Sequence, residues 1–259
     1  MDFIIVISAA LMFAFVISKN SIIGGFSWIL FGFGWITKLP YYLDIGDYFN
    51  SVIIVSAFIL FTLIGIAIIA ERDVSRLNTF LNLSAFSALS AIFYFPFAMN
   101  GFLGDFLISK TAQLTVMLAN FLGYNIQMYG DRILYLNGKC VEIILACTGI
   151  ESIALFAGAT LGMRADWSRK LKAFMVSVPV IYVLNLLRNV FITVSFGYSW
   201  FGENSFYIAH HIISKILATL ALILISLTVF RILPELADLI YDLKDILEEK
   251  YLRFMKKSD

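Results

Sequence analysis

Cys147, Arg188 and the pair His210-His211 are the residues of this chain whose types do chemistry and whose surroundings are otherwise apolar. Cys147 lies in Ala146-Cys147-Thr148-Gly149-Ile150-Glu151-Ser152, small and polar residues at the head of an apolar run. A thiol attacks as its thiolate, and unpaired backbone N–H groups at a helix start stabilise that anion. Thr148 and Gly149 offer two more amides without bulky cover, donors of the kind that hold a developing oxyanion. For the thiol taken alone a plainer alternative stays open, because Cys is a common small hydrophobe and Gly lets helices pack closely.

The elements that must position these groups follow from composition. Of 259 residues, 61% are hydrophobic, 16% aromatic and only 14% charged, and the mean hydropathy is +0.89. A soluble domain of this length does not have that composition. Continuous rather than alternating apolar runs predict an all-α polytopic membrane protein and not a barrel. The net charge of +1 carries no nucleic-acid footprint. Cys140 and Cys147 have neither redox nor metal-finger spacing, and no metal cluster, phosphate loop or nucleotide fingerprint appears, so no cofactor is expected. The first run, from Phe3, lacks a basic N-terminal flank and a small-residue cleavage site, and is expected to be a retained span.

Runs of spanning or near-spanning length occur at about Phe3 to Ser18, Ser21 to Thr37, Ser51 to Ala70, Phe80 to Met99, Leu145 to Met163, Ala173 to Tyr198 and Ile208 to Phe230, which predicts about seven transmembrane helices. Only Lys19 and Asn20 separate the first two, so a tight helical hairpin is expected there. Arg164, Arg169, Lys170 and Lys172 crowd one loop and mark it cytoplasmic; alternation puts Lys19, Arg72, Arg76 and Arg231 on the same side, against Lys38, Lys110, Arg132 and Lys139 opposite. The N-terminus is then outside and the C-terminus inside.

The membrane domain is expected over residues 1–230, with a core at about 141–230 and an outer-face insertion at about 100–144. The insertion predicts a helix over Phe102 to Leu122. An alternating stretch follows, with the tight-turn signal Asn137-Gly138, so a small β-hairpin is expected to lead into Cys147. Helix and hairpin together are expected to act as a lid. Residues 231–259, with Leu236, Leu239, Ile240, Leu243, Ile246 and Leu247 at helical spacing, predict a cytoplasmic amphipathic helix that is solvated or lies on the membrane surface.

Depth adds the main argument. Counted from the inner ends of their spans at about 1.5 Å per residue, Arg188 lies about 22 Å and Cys147 about 24 Å up a core roughly 30 Å thick. His210 and His211 open the descending last run at the same level. An ionisable side chain inside a membrane is costly and usually functional. Taken singly, Arg188 has the alternative of pairing with Glu151 or reaching the interface, and histidines at a helix end that of sitting at the surface. Three consecutive spans delivering a thiol, a guanidinium and an imidazole to one outer layer point instead to a cysteine-nucleophile site.

Ala146-Cys147-Thr148-Gly149, Leu187-Arg188-Asn189 and Ala209-His210-His211-Ile212-Ile213-Ser214 also resemble, in order, the three short motifs of the exosortase and archaeosortase family, multispanning sortase analogues. The resemblance covers roughly Val141 to Phe230 and leans to the archaeal branch. It implies substrates that are exported proteins with a C-terminal tail of short motif, transmembrane helix and basic cluster. It also implies cleavage near the outer face of the cell membrane and transfer to a lipid or glycan acceptor. On this resemblance Cys147 is the nucleophile, Arg188 stabilises anionic charge and His210 is general base and acid. His211 stays the alternative to His210, which is preferred because the small residue Ser214 follows four positions later. Asn189 and Glu151 are supporting candidates, with packing or ion pairing the alternative for each.

Three competing functions follow from the same residues. A membrane cysteine protease would hydrolyse without transfer, and the sequence does not separate the two. A transporter or channel lined by Arg188 and His210/His211 belongs to another class; the chain lacks the repeat symmetry and paired broken helices of many transporters. A structural subunit of an envelope complex would tolerate loss of all three residues.

Overall fold

The computed structural model describes residues 2–258, which fall into two compact units. Five helical stretches are long and apolar enough to cross a membrane: Ser21–Asp44, Tyr48–Ile69, Val74–Met99, Trp167–Gly197 and Gly202–Ile232. Two more apolar helices are shorter, α1 (Asp2–Ser18) with 17 residues and α7 (Ile150–Gly162) with 13. At about 1.5 Å per residue these rise about 25 and 20 Å, below the roughly 30 Å of a hydrocarbon core. Spanning length is thus reached by five of the seven apolar runs.

The first unit comprises Met1–Ala91, Gly158–Asp166 and Leu233–Asp259. Here α1 turns at Lys19, whose φ is 55°, into α2 (Ser21–Ile36), and Asn20 Oδ1 caps the new helix by accepting from the Ile22 N–H at 2.9 Å. A short α3 (Leu39–Asp44) leads to α4 (Tyr48–Ile69), which lies along α2. The two backbones meet at Gly25 and Gly65, where a Cβ on either would stand 2.6 Å from the other's carbonyl oxygen. Only glycine allows that approach. Met12, Phe15, Trp28, Ile68, Phe80 and Leu81 form the core, and the Trp28 indole N–H finds Ser84 Oγ at 2.8 Å.

The last helix, α11 (Pro234–Ser258), is amphipathic, with Leu236, Leu239 and Ile246 buried. Part of its apolar stripe is packed, since Ile246 belongs to the first unit's core and Leu243 and Leu247 pack against it, while Ile240 stays exposed. Polar contacts seal the edge: Arg76 pairs with Glu249, and Lys250 Nζ reaches the Ala67 carbonyl at 2.6 Å and the Glu71 carboxylate at 3.0 Å. A cation on a helix-terminal carbonyl satisfies one of the groups that every helix leaves open. Burial raises the Glu71 carboxyl, but the Asp73 N–H and Lys250 outweigh it and hold the group below its ordinary value.

The second unit comprises Ile92–Ala157 and Trp167–Ile232. It begins with the end of α5 (Val74–Met99) and α6 (Gly101–Phe121), followed by a three-stranded antiparallel sheet in the order β1 (Gln127–Tyr129), β2 (Ile133–Leu136), β3 (Lys139–Glu142). Leu136 pairs with Lys139 across Asn137 and Gly138, whose φ values of 51° and 80° define a two-residue turn. Then come a 3₁₀ turn (Leu145–Thr148), α7, the 31-residue α8 (Trp167–Gly197), a short α9 (Ser205–Tyr207), a π-helical turn (Ile208–Ile213) and α10 (Ser214–Ile232).

The sheet is bound to α6 and α8. Leu134, Leu136 and Ile143 share a core with Ile108 and Ala112 of α6 and with Val190 and Val194 of α8. Lys139 Nζ donates to the Phe196 carbonyl at 2.8 Å and to Ser199 Oγ at 2.6 Å, capping the end of α8. The sheet therefore shares its core with the segment that carries Cys147, since Leu145 and Cys147 pack against the same cluster.

Candidate active site

Cys147 sits in the 3₁₀ turn rather than in α7 itself. Its N–H donates to the Ile144 carbonyl at 2.8 Å, and Gly149, with φ 75°, separates the turn from the first residue of α7. The left-handed backbone favours glycine here, and a Cβ at Gly149 would press on the Asn185 side chain, 3.2 Å from its Cγ. Thr148 is fully buried and its hydroxyl is already used. It donates to the Leu145 carbonyl at 2.7 Å and accepts from the Ile150 N–H at 3.3 Å, capping α7. The thiol is half-buried and rests against the second unit's core, and both cysteines are free.

Two amides of α8 hold this turn. Asn185 Nδ2 donates to the Cys147 carbonyl at 2.6 Å and Asn189 Nδ2 donates to the same oxygen at 2.9 Å. Four residues apart, they share one face of the helix. Both lone pairs of the carbonyl are thereby occupied, which fixes the peptide that carries the thiol. Asn189 was a sequence candidate, but Asn185 was missed as a site residue. The available signal was an amide four residues before Asn189 in an apolar run, where an unpaired side-chain amide is costly. Asn185→Ala or Asn189→Ala is expected to cost the turn about 1–3 kcal/mol of local stability, since a buried acceptor loses a bond. Hydrogen exchange of residues 145–149 should then accelerate about 5- to 150-fold, and unchanged protection would show that the clamp is idle.

Arg188 lies between the two asparagines. It is half-buried, its Nε is buried without a hydrogen bond, and among the described residues it forms no ion pair. Glu151 is exposed and does not pair with it. Arg188, Gly149, Glu151 and Ser214 line a cavity of about 670 Å³ whose remaining wall is largely apolar, including Ile181 and Ile225.

The imidazoles come from the π turn, and α8 touches both this turn and the 3₁₀ turn of Cys147. His210 is half-buried, stacks on Phe206 at 5.2 Å and 10°, and keeps a buried Nδ1 with no hydrogen bond. His211 is exposed, with its ring 4.5 Å from that of His210 and tilted by 68°. Short π segments are frequent at functional sites.

These features define a helical membrane protein in which one helix, α8, carries a guanidinium and joins a clamped thiol turn to an imidazole turn. The family profile of transmembrane exosortases matches residues 3–227, and the chain belongs to that family. It is similar to the archaeosortase A of Haloferax volcanii, 31% identical over 252 residues that cover 83% of this chain and 82% of the relative. It is also similar to the archaeosortase A of Natronomonas pharaonis, 26% identical over 252 residues covering 85% and 78%. No solved structure matches the chain.

Proposed function

We propose that the chain is a membrane-embedded cysteine transpeptidase that cleaves C-terminal sorting signals of exported proteins and transfers the new carboxyl end to a lipid or glycan acceptor. Family membership and the named relatives support the class. The observation that carries the reading is the pair of buried, unpartnered nitrogens, Arg188 Nε and His210 Nδ1, on two elements that both contact α8 or belong to it. A buried polar group without a partner costs about 1–3 kcal/mol, a standing cost that a bound substrate offsets by completing the bonds.

In this reading His210 takes the Cys147 proton and the thiolate attacks the scissile carbonyl. Arg188 stabilises the oxyanion in a low-dielectric site. The intermediate collapses to a thioester, and the proton passes from His210 to the leaving amine. The acceptor's nucleophile then displaces the thiolate, and its proton returns through His210 to Cys147. In this reading the two shorter helices α1 and α7 complete the alternation of the five spans, which puts the N-terminus outside, the C-terminus in the cytoplasm and the chemistry near the outer face of the cell membrane.

The test is co-expression with an exported protein bearing a tail of short motif, apolar segment and basic cluster, followed by intact mass. A product that has lost its tail and is heavier than hydrolysis allows is expected. A product of hydrolysis mass would make the enzyme a protease, and a retained tail would overturn the reading.

A further inference from the structure

We propose that the Ser214 hydroxyl binds substrate, donating a hydrogen bond to a backbone carbonyl of the sorting tail held in the cavity beside Arg188. The inference rests on the function proposed above and adds to it a residue outside the thiol, guanidinium and imidazole.

Ser214 is 2% exposed, lines the cavity, and its Oγ is buried with no hydrogen bond. Among the described residues of this unit Ser195 shares that state, but it does not line the cavity. A hydroxyl on a helix ordinarily bonds back to the carbonyl four residues earlier. Ser177 does so to Ala173 at 2.7 Å, Thr193 to Asn189 at 2.9 Å, Thr219 to Lys215 at 2.8 Å and Thr228 to Leu224 at 2.8 Å.

At Ser214 the preceding π turn accounts for the missing bond. The Ser214 N–H bonds the Ala209 carbonyl, five residues back, so the helix is one residue wider where His210 would serve as the hydroxyl's acceptor. Ser214 thus reaches the cavity wall that Arg188 of α8 also lines, directly after the turn that leaves His210 Nδ1 unpartnered. A hydroxyl there is a neutral donor in a largely apolar chamber, the chemistry that recognises a peptide carbonyl.

The two roles a buried serine can have predict opposite thermal effects. If the hydroxyl supported the fold, its removal would lower stability. If it waits for a ligand, Ser214→Ala removes an unsatisfied group and leaves stability unchanged or higher. In the co-expression assay Ser214→Ala is expected to lower the cleavage rate about 10- to 100-fold. Its melting temperature in detergent should stay equal or rise by about 2–4 °C. Ser214→Cys, nearly isosteric but a weak donor, should fall between the two. Ser195 is the control, because its hydroxyl is equally buried and unpartnered but lies outside the cavity wall; Ser195→Ala should cleave at the wild-type rate. Wild-type cleavage by Ser214→Ala, or a rate loss that tracks a fall in melting temperature, overturns the inference and leaves the transpeptidase standing. If the wild-type protein itself retains the tail, the underlying reading fails and this one with it.

Discussion

Cys147→Ala is expected to abolish tail removal, and Cys147→Ser to reduce it by more than about 10³-fold, because a serine hydroxyl is a far weaker nucleophile at its free pKa. The fold should survive both changes. The interactions that hold the turn use the Cys147 backbone: its N–H donates to Ile144, and its carbonyl accepts from Asn185 and Asn189. The side chain contributes only half-buried contact at the edge of the second unit's core. A methyl or hydroxyl in its place costs about 1 kcal/mol by the scale of one buried methylene. Melting temperature and tail processing therefore separate cleanly. Cys140 gives the internal control, since its thiol is free and exposed on β3 and Cys140→Ser should process normally. Processing by Cys147→Ala at the wild-type rate would remove the thiol from the mechanism and return the transporter reading to consideration.

The sequence was most legible where apolar runs are long, because burying backbone polar groups in lipid requires helices whatever the tertiary contacts. Hydropathy marks only the apolar part of such a helix. α8 begins at Trp167, not near Ala173, because Ser168, Arg169, Lys170 and Lys172 continue the helix outside the apolar stretch. For the same reason α5 starts at Val74, ahead of Phe80. The amphipathic pattern of α11 was readable, but its partner was not. A stripe of Leu and Ile says that a face is buried and does not say against what, and here the answer is the core around Phe80 and Ile68.

The candidate site divides in the same way. Residue types singled out Cys147, Arg188 and the two histidines, since thiol, guanidinium and imidazole stand out in apolar surroundings. What the sequence did not carry is how these segments meet. The Asn185–Cys147 contact joins residues 38 positions apart and exists only because α8 lies against the 3₁₀ turn. The π turn is equally hidden, because Ile208-Ala209-His210-His211-Ile212-Ile213 has the composition of an ordinary helix and its extra residue per turn is set by packing. In that turn His210 is half-buried and His211 exposed, and the Ser214 hydroxyl that follows it is unpartnered.

Arg188 should show the sharpest opposition of stability and activity in the chain. An unpaired, half-buried guanidinium is a cost to the folded state, and replacing it with an apolar side chain of similar length removes that cost. Arg188→Met is therefore expected to leave the melting temperature unchanged or raise it by about 2–4 °C. The same variant should lose about 10³-fold or more in tail cleavage, because the oxyanion then forms without the counter-charge of the guanidinium. Arg188→Lys keeps the charge but loses the planar fork of donors that meets an oxyanion at two points. It should retain partial activity, about 10²-fold below wild type, as expected for loss of one strong donor. A thiol probe adds a further discrimination: alkylation of Cys147 in Arg188→Met should slow if the guanidinium also stabilises the thiolate, and should not change if it acts on the oxyanion alone. A large fall in melting temperature for Arg188→Met, with Arg188→Lys cleaving like the wild type, would make Arg188 a structural cation. The chemistry would then have to be sought among His210, Ser214 and the asparagine clamp.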